Sequence, residues 1–294
     1  MGKSLIKGTG VALVTPFNTQ GEVDYKSLRN LVDTVILGGV DFVLAMGTTS
    51  EAATLNKEEK EEVLRIIIDE VNHRVPIVLG IGGNNTKAVI EDIKATNFDQ
   101  IDAILSVVPY YNKPNQTGIM AHFSAIAEVS PVDIILYNVP GRTSSNLSAK
   151  TVLELANQYS NIVAIKEASA DFTQIMEIIK HKPDNFRVLS GDDALTLPLM
   201  SIGMEGVISV VANVYPNQMS SMLNAINEGD YDGAKNIHYD MLNLIDALFM
   251  EGNPAGIKSA LQQKGIIEAE NLRLPLVPVS QGLRETIKNL MSKA

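Results

Sequence analysis

The sequence has no cysteine among its 294 residues. That absence excludes a disulfide framework, a thiolate nucleophile and a zinc–thiolate site, while leaving the compartment open. Basic residues are also scarce: 24 Lys plus Arg stand against 34 Asp plus Glu, a net charge of −10. Such an acidic balance disfavours nucleic acid or an anionic membrane as the main partner. No apolar run approaches the roughly 18 residues that span a bilayer. The stretch Met1–Gly10 carries Lys3 and Lys7 and lacks a signal peptide's apolar core, so a soluble cytoplasmic protein is expected. Metal chemistry finds no support either. His73, His122, His181 and His238 fall in or near helical segments without ligand spacing, and Asp192-Asp193 has no third carboxylate at a neighbouring strand end. Gly80-Ile-Gly-Gly-Asn-Asn85 lacks both the Lys-Ser/Thr of a P-loop and a dinucleotide spacing, and reads as a turn after a strand.

What is present is an ordinary globular composition, 45% hydrophobic and 20% charged, which rules out a disordered chain. The length allows one large α/β domain or two smaller ones. Near-continuous apolar runs occur at Gly10–Phe17, Phe42–Gly47, Pro76–Gly82, Ala103–Pro109, Asp133–Val139, Ile162–Ala168, Phe186–Gly191 and Gly206–Val211. Runs of this kind suit parallel strands covered on both faces, where simple alternation is lost. Between them lie amphipathic stretches. Leu28, Leu31, Val32 and Val35 form one helical stripe, and Val63, Ile66 and Ile67 another with Glu70 at its edge. Helix starts are marked by Thr54-Leu-Asn-Lys before Glu58-Glu59 and by Asn146-Leu-Ser148 before Ala149–Tyr159.

Eight strand–helix units, one about every 30 residues, match the number that closes a (β/α)₈ TIM barrel, whereas a doubly wound open sheet more often stops at five to seven strands. The pattern changes after Glu228-Gly-Asp-Tyr-Asp-Gly233. From there the chain reads as helices, broken at Asn253-Pro254 and at Leu274-Pro-Leu-Val-Pro278. The expected organisation is α/β: a catalytic barrel over 1–228 with a C-terminal helical appendage, 229–294, in the same structural unit.

In such a barrel, chemistry sits at the C-terminal ends of the strands. Lys166 stands out there, inside the apolar strand Asn161-Ile-Val-Ala-Ile-Lys-Glu-Ala-Ser169. A buried ammonium is either ion-paired, here to a carboxylate such as Glu167 or Asp192, or loses its proton more easily. A neutral amine at a barrel mouth is a nucleophile for carbonyls, the requirement for a Schiff base. Tyr137, Thr48 and Tyr111 place hydroxyls at the same end, where a chain of them can relay protons, although a strand-end tyrosine is more often simply amphipathic core. Thr48-Thr49 after Gly47, opening a helix, offers N–H groups and hydroxyls to an anion, or is an ordinary capped turn. Arg142, after Pro140-Gly141, is placed to clamp a carboxylate, or to lie on the surface.

Together these segments resemble the pyruvate-dependent class I aldolases, and within them the dihydrodipicolinate synthase family. The resemblance rests on Gly10-Val-Ala-Leu-Val-Thr-Pro-Phe17, Gly47-Thr-Thr, Pro109-Tyr-Tyr-Asn-Lys-Pro114, Tyr137-Asn-Val-Pro-Gly-Arg-Thr143, Ile165-Lys-Glu-Ala168, Ser190-Gly-Asp-Asp193, Gly206-Val-Ile-Ser-Val210 and Leu272-Arg-Leu-Pro-Leu276, in this order along almost the whole chain. It implies that Lys166 condenses with pyruvate, whose carboxylate is held by Thr49, Thr48 and the backbone near Ile208, with Gly191 also in the substrate site. The resulting enamine attacks L-aspartate 4-semialdehyde. Tyr137, Thr48 and Tyr111 form the relay, with Tyr111 reaching in from a neighbouring subunit, and Arg142 binds the aldehyde's carboxylate. No cofactor or metal is implied, and the expected assembly is a homotetramer built as a dimer of dimers.

Sialic-acid lyases and 2-keto-3-deoxy sugar-acid aldolases share the lysine, the tyrosine and the Gly-(Ser/Thr)-Thr turn, so Arg142 and Tyr110-Tyr111 are what favour the synthase. A catalytically inactive keto-acid-binding barrel has no need of the full set. Some positions depart from the family pattern. Val108 stands where Thr is commoner, and Ala255-Gly256 replaces bulkier residues in Glu251-Gly-Asn-Pro-Ala-Gly-Ile-Lys258. Lys57, Lys60 and Ala88 occupy positions where lysine-inhibited members tend to have histidines and a glutamate, which predicts weak or absent feedback by lysine.

Overall fold

The computed structural model describes residues 6–292. Lys3, which entered the reading of the N-terminus, lies outside the described residues. Eight parallel strands follow one another as a closed barrel: β1 Gly8–Ala12, β2 Phe42–Ala45, β3 Ile77–Gly80, β4 Ala103–Val107, β5 Asp133–Asn138, β6 Ile162–Glu167, β7 Arg187–Ser190 and β8 Gly206–Ser209. This is the (β/α)₈ barrel the sequence predicts. Every residue of β2, β6 and β8 is buried, as for parallel strands covered on both faces. The register sets Tyr137 of β5 beside Lys166 of β6, and Lys166 beside Leu189 of β7.

The first strand differs from its apolar run, which suggested Gly10–Phe17. β1 begins two residues earlier and ends at Ala12. Leu13 still donates its N–H to the Leu44 carbonyl, but Val14 donates to the Asn213 side chain, and Pro16 has no N–H to give. Leu13, Val14 and Phe17 are buried all the same, so apolarity there reports core and not ladder.

The helices follow their sequence signals closely. Tyr25–Leu37 buries Leu28, Leu31, Val32 and Val35. Lys57–Val71 starts on an Asn56 cap whose side chain accepts from the Glu59 N–H, while Glu59 reaches back to the Asn56 N–H. A cap of this kind contributes about 1 kcal/mol. Ser148 caps Ala149–Gln158 with its hydroxyl, which accepts from the Thr151 N–H. After β8 come the helices Pro216–Glu228, Tyr231–Phe249, Ala255–Gln263 and Gln281–Met291, with no further strand among the described residues. The two expected breaks are cis peptide bonds, Asn253-Pro254 and Leu274-Pro275. No helix among the described residues is long and apolar enough to cross a membrane.

Contacts divide the chain into two compact units. One is built on Pro76–Ile208 and carries β3 to β7 with most of β8. The other joins Gly8–Val75, with β1 and β2, to the helices that follow Ser209. Within this second unit the buried Asn213 donates to the carbonyls of Ala12 and Val210, and so ties β1 to the segment after β8.

Candidate active site

Lys166 lies near the end of β6 and is only 6% exposed. Its Nζ sits 4.6 Å from the centre of the Tyr137 ring. Burial lowers its pKa to about 8; the Asp193 carboxylate opposes that shift and the Arg142 guanidinium adds to it. An amine with this pKa is uncharged in a useful fraction of molecules near neutral pH. Gly191, just after β7, keeps the space beside it open. A Cβ there would lie 3.1 Å from Lys166 Cε and 2.7 Å from the Ala168 Cβ.

Neither Glu167 nor Asp192 forms the ion pair that would have made Lys166 a structural residue. Successive strand residues face opposite ways, so Glu167 points away from Lys166. Its carboxylate accepts from Asn138 Nδ2 at 3.1 and 3.2 Å, the Ser169 N–H at 2.8 Å and Gln174 Nε2 at 3.1 Å. Burial still raises its pKa against those bonds. Asp192 accepts from the N–H groups of Ala194 and Leu195. The negative charge that acts on Lys166 is the neighbouring Asp193, which is buried.

Arg142 projects from the short turn of helix Pro140–Thr143 that follows β5, and is exposed. Thr143 fixes this turn, its hydroxyl donating to the Val139 and Ser145 carbonyls. Ile208 is buried in β8, one residue after the Ser190–Val207 pairing with β7. Tyr111 is 88% exposed, in left-handed backbone with φ 71°, on a loop pinned by Asn112 Nδ2 to the Asn84 carbonyl and by Asn84 Nδ2 to the Tyr110 carbonyl.

In the other unit, Thr48 and Thr49 follow β2. The turn is tighter than the helix opening expected there. Thr48–Ser50 is a single 3-10 turn, ended by Glu51 in left-handed backbone with φ 54°, and the long helix begins only at Lys57. The first amides of such a turn have no acceptor within it, which leaves the Thr48 and Thr49 N–H groups suited to an anion. Thr48 is exposed, whereas Thr49 is buried and its hydroxyl accepts from Asn253 Nδ2 at 2.9 Å.

Several residues around these groups escaped the sequence reading. Asp193 had a usable signal, since it stands just beyond the end of β7, but it was weighed only as a metal ligand. Asn253, Glu51 and Lys258 had none, because their contacts join positions some 200 residues apart. The glycine-rich stretch after β3 is a turn, and Asn85 within it caps helix Thr86–Ala95. Among the described residues no group of three or more His, Asp or Glu is placed to hold a metal ion.

A model of the dihydrodipicolinate synthetase family matches residues 5–294. The chain belongs to this family. Relatives named 4-hydroxy-tetrahydrodipicolinate synthase include a protein of Parabacteroides distasonis, 49% identical over 292 residues, with 98% of both chains covered. Another, from Azobacteroides pseudotrichonymphae, is 51% identical over 291 residues, covering 99% of this chain and 98% of that one. Among solved structures, the dihydrodipicolinate synthase of Cyanidioschyzon merolae with lysine bound superimposes with a TM-score of 0.95 at 38% identity, covering 99% of each chain. As a member of the dihydrodipicolinate synthetase family, the chain is an enzyme, a lyase of the class I aldolase type.

Proposed function

We propose that the chain is a 4-hydroxy-tetrahydrodipicolinate synthase that joins pyruvate to L-aspartate 4-semialdehyde, the first committed step towards diaminopimelate and lysine. The observation that carries this reading is Lys166: a buried amine with a pKa lowered to about 8, beside the ring of Tyr137 and within the field of Arg142. Its neutral Nζ attacks C2 of pyruvate, and loss of water gives an imine. The protonated imine draws electrons from the methyl carbon, so one methyl proton leaves and an enamine forms. The enamine carbon adds to the aldehyde carbon of the semialdehyde. The amine of that substrate then displaces Lys166 from the imine carbon, closing the ring and freeing the lysine.

The Thr48 and Thr49 amides and hydroxyls, with the backbone at Ile208, hold the pyruvate carboxylate, and Gly191 leaves room for the imine. Tyr137, Thr48 and Tyr111 pass protons between the reacting atoms and water. The high exposure of Tyr111 suits a residue supplied to the site of a second copy of the chain, within a tetramer built as a dimer of dimers. Arg142 binds the carboxylate of the semialdehyde, and an exposed guanidinium near the lysine suits that task. The imine is itself the electron sink, so the chemistry calls on no cofactor or metal. With this biosynthetic role, the chain is assigned to the cytoplasm.

The test is a coupled assay with pyruvate and aspartate 4-semialdehyde on the wild type and on Arg142→Met, with pyruvate and N-acetylmannosamine run alongside. The expected result is activity with the semialdehyde, and an R142M variant whose KM for the semialdehyde rises at least about tenfold, the loss of one charge-assisted contact. Activity with the sugar alone would place the chain among the sialic-acid lyases. A trapped pyruvate adduct without turnover of either aldehyde would leave a keto-acid-binding barrel.

A further inference from the structure

Glu51 occupies an unusual place. It ends the 3-10 turn that contains Thr48 and Thr49, because its N–H bonds to the Thr48 carbonyl, and it starts the next turn, because its own carbonyl accepts from the Thr54 N–H and hydroxyl. It does so in left-handed backbone, which a residue with a Cβ adopts only when its surroundings hold it there. Its carboxylate is wholly buried. One oxygen lies 2.5 Å from Lys258 Nζ, whose side chain is also wholly buried, and the other accepts from the Arg273 N–H at 3.0 Å. Lys258 spends a further proton on the Asn271 carbonyl, and the Arg273 guanidinium is clamped in turn by both oxygens of Glu59. Asn253 grips the same turn at Thr49.

All three gripping residues, Asn253, Lys258 and Arg273, come from the helical segment that follows the barrel strands, within one compact unit. A buried ion pair is a poor way to gain stability, since an apolar pair of similar volume often does as well or better; what it supplies is a fixed geometry. We propose that the Glu51–Lys258 pair, supported by Asn253, positions the Thr48–Thr49 turn for the keto-acid carboxylate, so that the C-terminal segment sets the affinity for pyruvate without touching it. These are positioning residues, and the inference rests on the reading that Thr48 and Thr49 bind that carboxylate.

The experiment measures the pyruvate concentration that half-saturates borohydride trapping, and both KM values, for Glu51→Gln/Lys258→Met, which removes both buried charges at once. The expected result is a folded enzyme whose half-saturation and pyruvate KM rise about tenfold or more, with the semialdehyde KM unchanged, in line with the steep cost of a slightly displaced binding group. Asn253→Ala, which frees the same turn at Thr49 while leaving the buried ion pair intact, gives a shift in the same direction, smaller in size, should the double variant fail to fold. A folded variant with pyruvate half-saturation within about twofold of wild type overturns the proposal, as does a uniform fall in kcat with both KM values unchanged, the mark of a purely structural role. Thr49→Val is the control for the underlying reading. If it too leaves pyruvate half-saturation unchanged, the Thr49 hydroxyl does not hold the keto acid and both readings fail at that contact; if it alone raises the value, only the positioning role fails.

Discussion

Two lysines are buried among the described residues, and they have opposite surroundings. Lys258 is wholly buried and fully engaged: Glu51 and Asn271 accept its protons, and its Nζ lies 4.0 Å from the centre of the Phe17 ring. Lys166 has the Asp193 charge in its favour, the Arg142 charge against it and the face of Tyr137 beside it. Burial brings both amines down to about the same pKa, near 8. The pKa therefore does not distinguish a nucleophile from a strut. What does is commitment: an amine whose protons are spent on a carboxylate and a carbonyl has no lone pair to offer a ketone, whereas Lys166 sits beside Gly191 in space kept open by the missing Cβ.

Removing each lysine should separate the roles most sharply. Lys166→Ala is expected to cost at least about 10³-fold in turnover while leaving thermal stability close to wild type, as for loss of a nucleophile. Lys258→Ala is expected to do the reverse in kind. It strands the buried Glu51 carboxylate and costs about 3–5 kcal/mol, read from the denaturant midpoint, while pyruvate still forms an adduct at Lys166. Equal losses of stability from both variants would erase the distinction.

Titration sharpens it further. Lys166 reacts as the free amine, so the rate of trapping by pyruvate should rise with pH and level off above about 8. Asp193 holds the proton on, so Asp193→Asn should move that profile to lower pH. Lys258→Met should leave the midpoint where it was. Smaller still is the effect of filling the space: Gly191→Ala puts a Cβ 2.7 Å from the Ala168 Cβ, and about 1–3 kcal/mol of destabilisation with slower adduct formation is expected.

The last expected effect is close to none. Lys57 and Lys60 are exposed in the first turn of helix Lys57–Val71, where they oppose a cationic effector, although Glu61 offsets Lys57 at 3.9 Å. Millimolar lysine should leave the initial rate unchanged, and inhibition in that range would contradict the reading.

The two lysines differ as much in sequence as in surroundings. Lys166 stood out because a charge interrupts an apolar strand, and strand periodicity alone could have shown that Glu167 faces away from it. The caps at Asn56 and Ser148 were legible because they are local, with donor and acceptor three residues apart. The end of β1 was not, because Val14 is taken off the ladder by Asn213, 199 residues away. Lys258 was invisible for the same reason. In helix Ala255–Gln263 it looks like any surface lysine, and only the fold delivers Glu51 to it across 207 residues. Strand positions and the lysine that interrupts β6 are properties of short segments; the ion pair behind the Thr48–Thr49 turn is a property of tertiary structure.

Treatment of the protein with pyruvate and borohydride, followed by digestion and mass spectrometry, locates the lysine that forms the imine. One reduced pyruvate per chain is expected, on Lys166, with none on Lys258. Modification of Lys258, or an unmodified Lys166 at saturating pyruvate and pH above 8, would contradict that expectation.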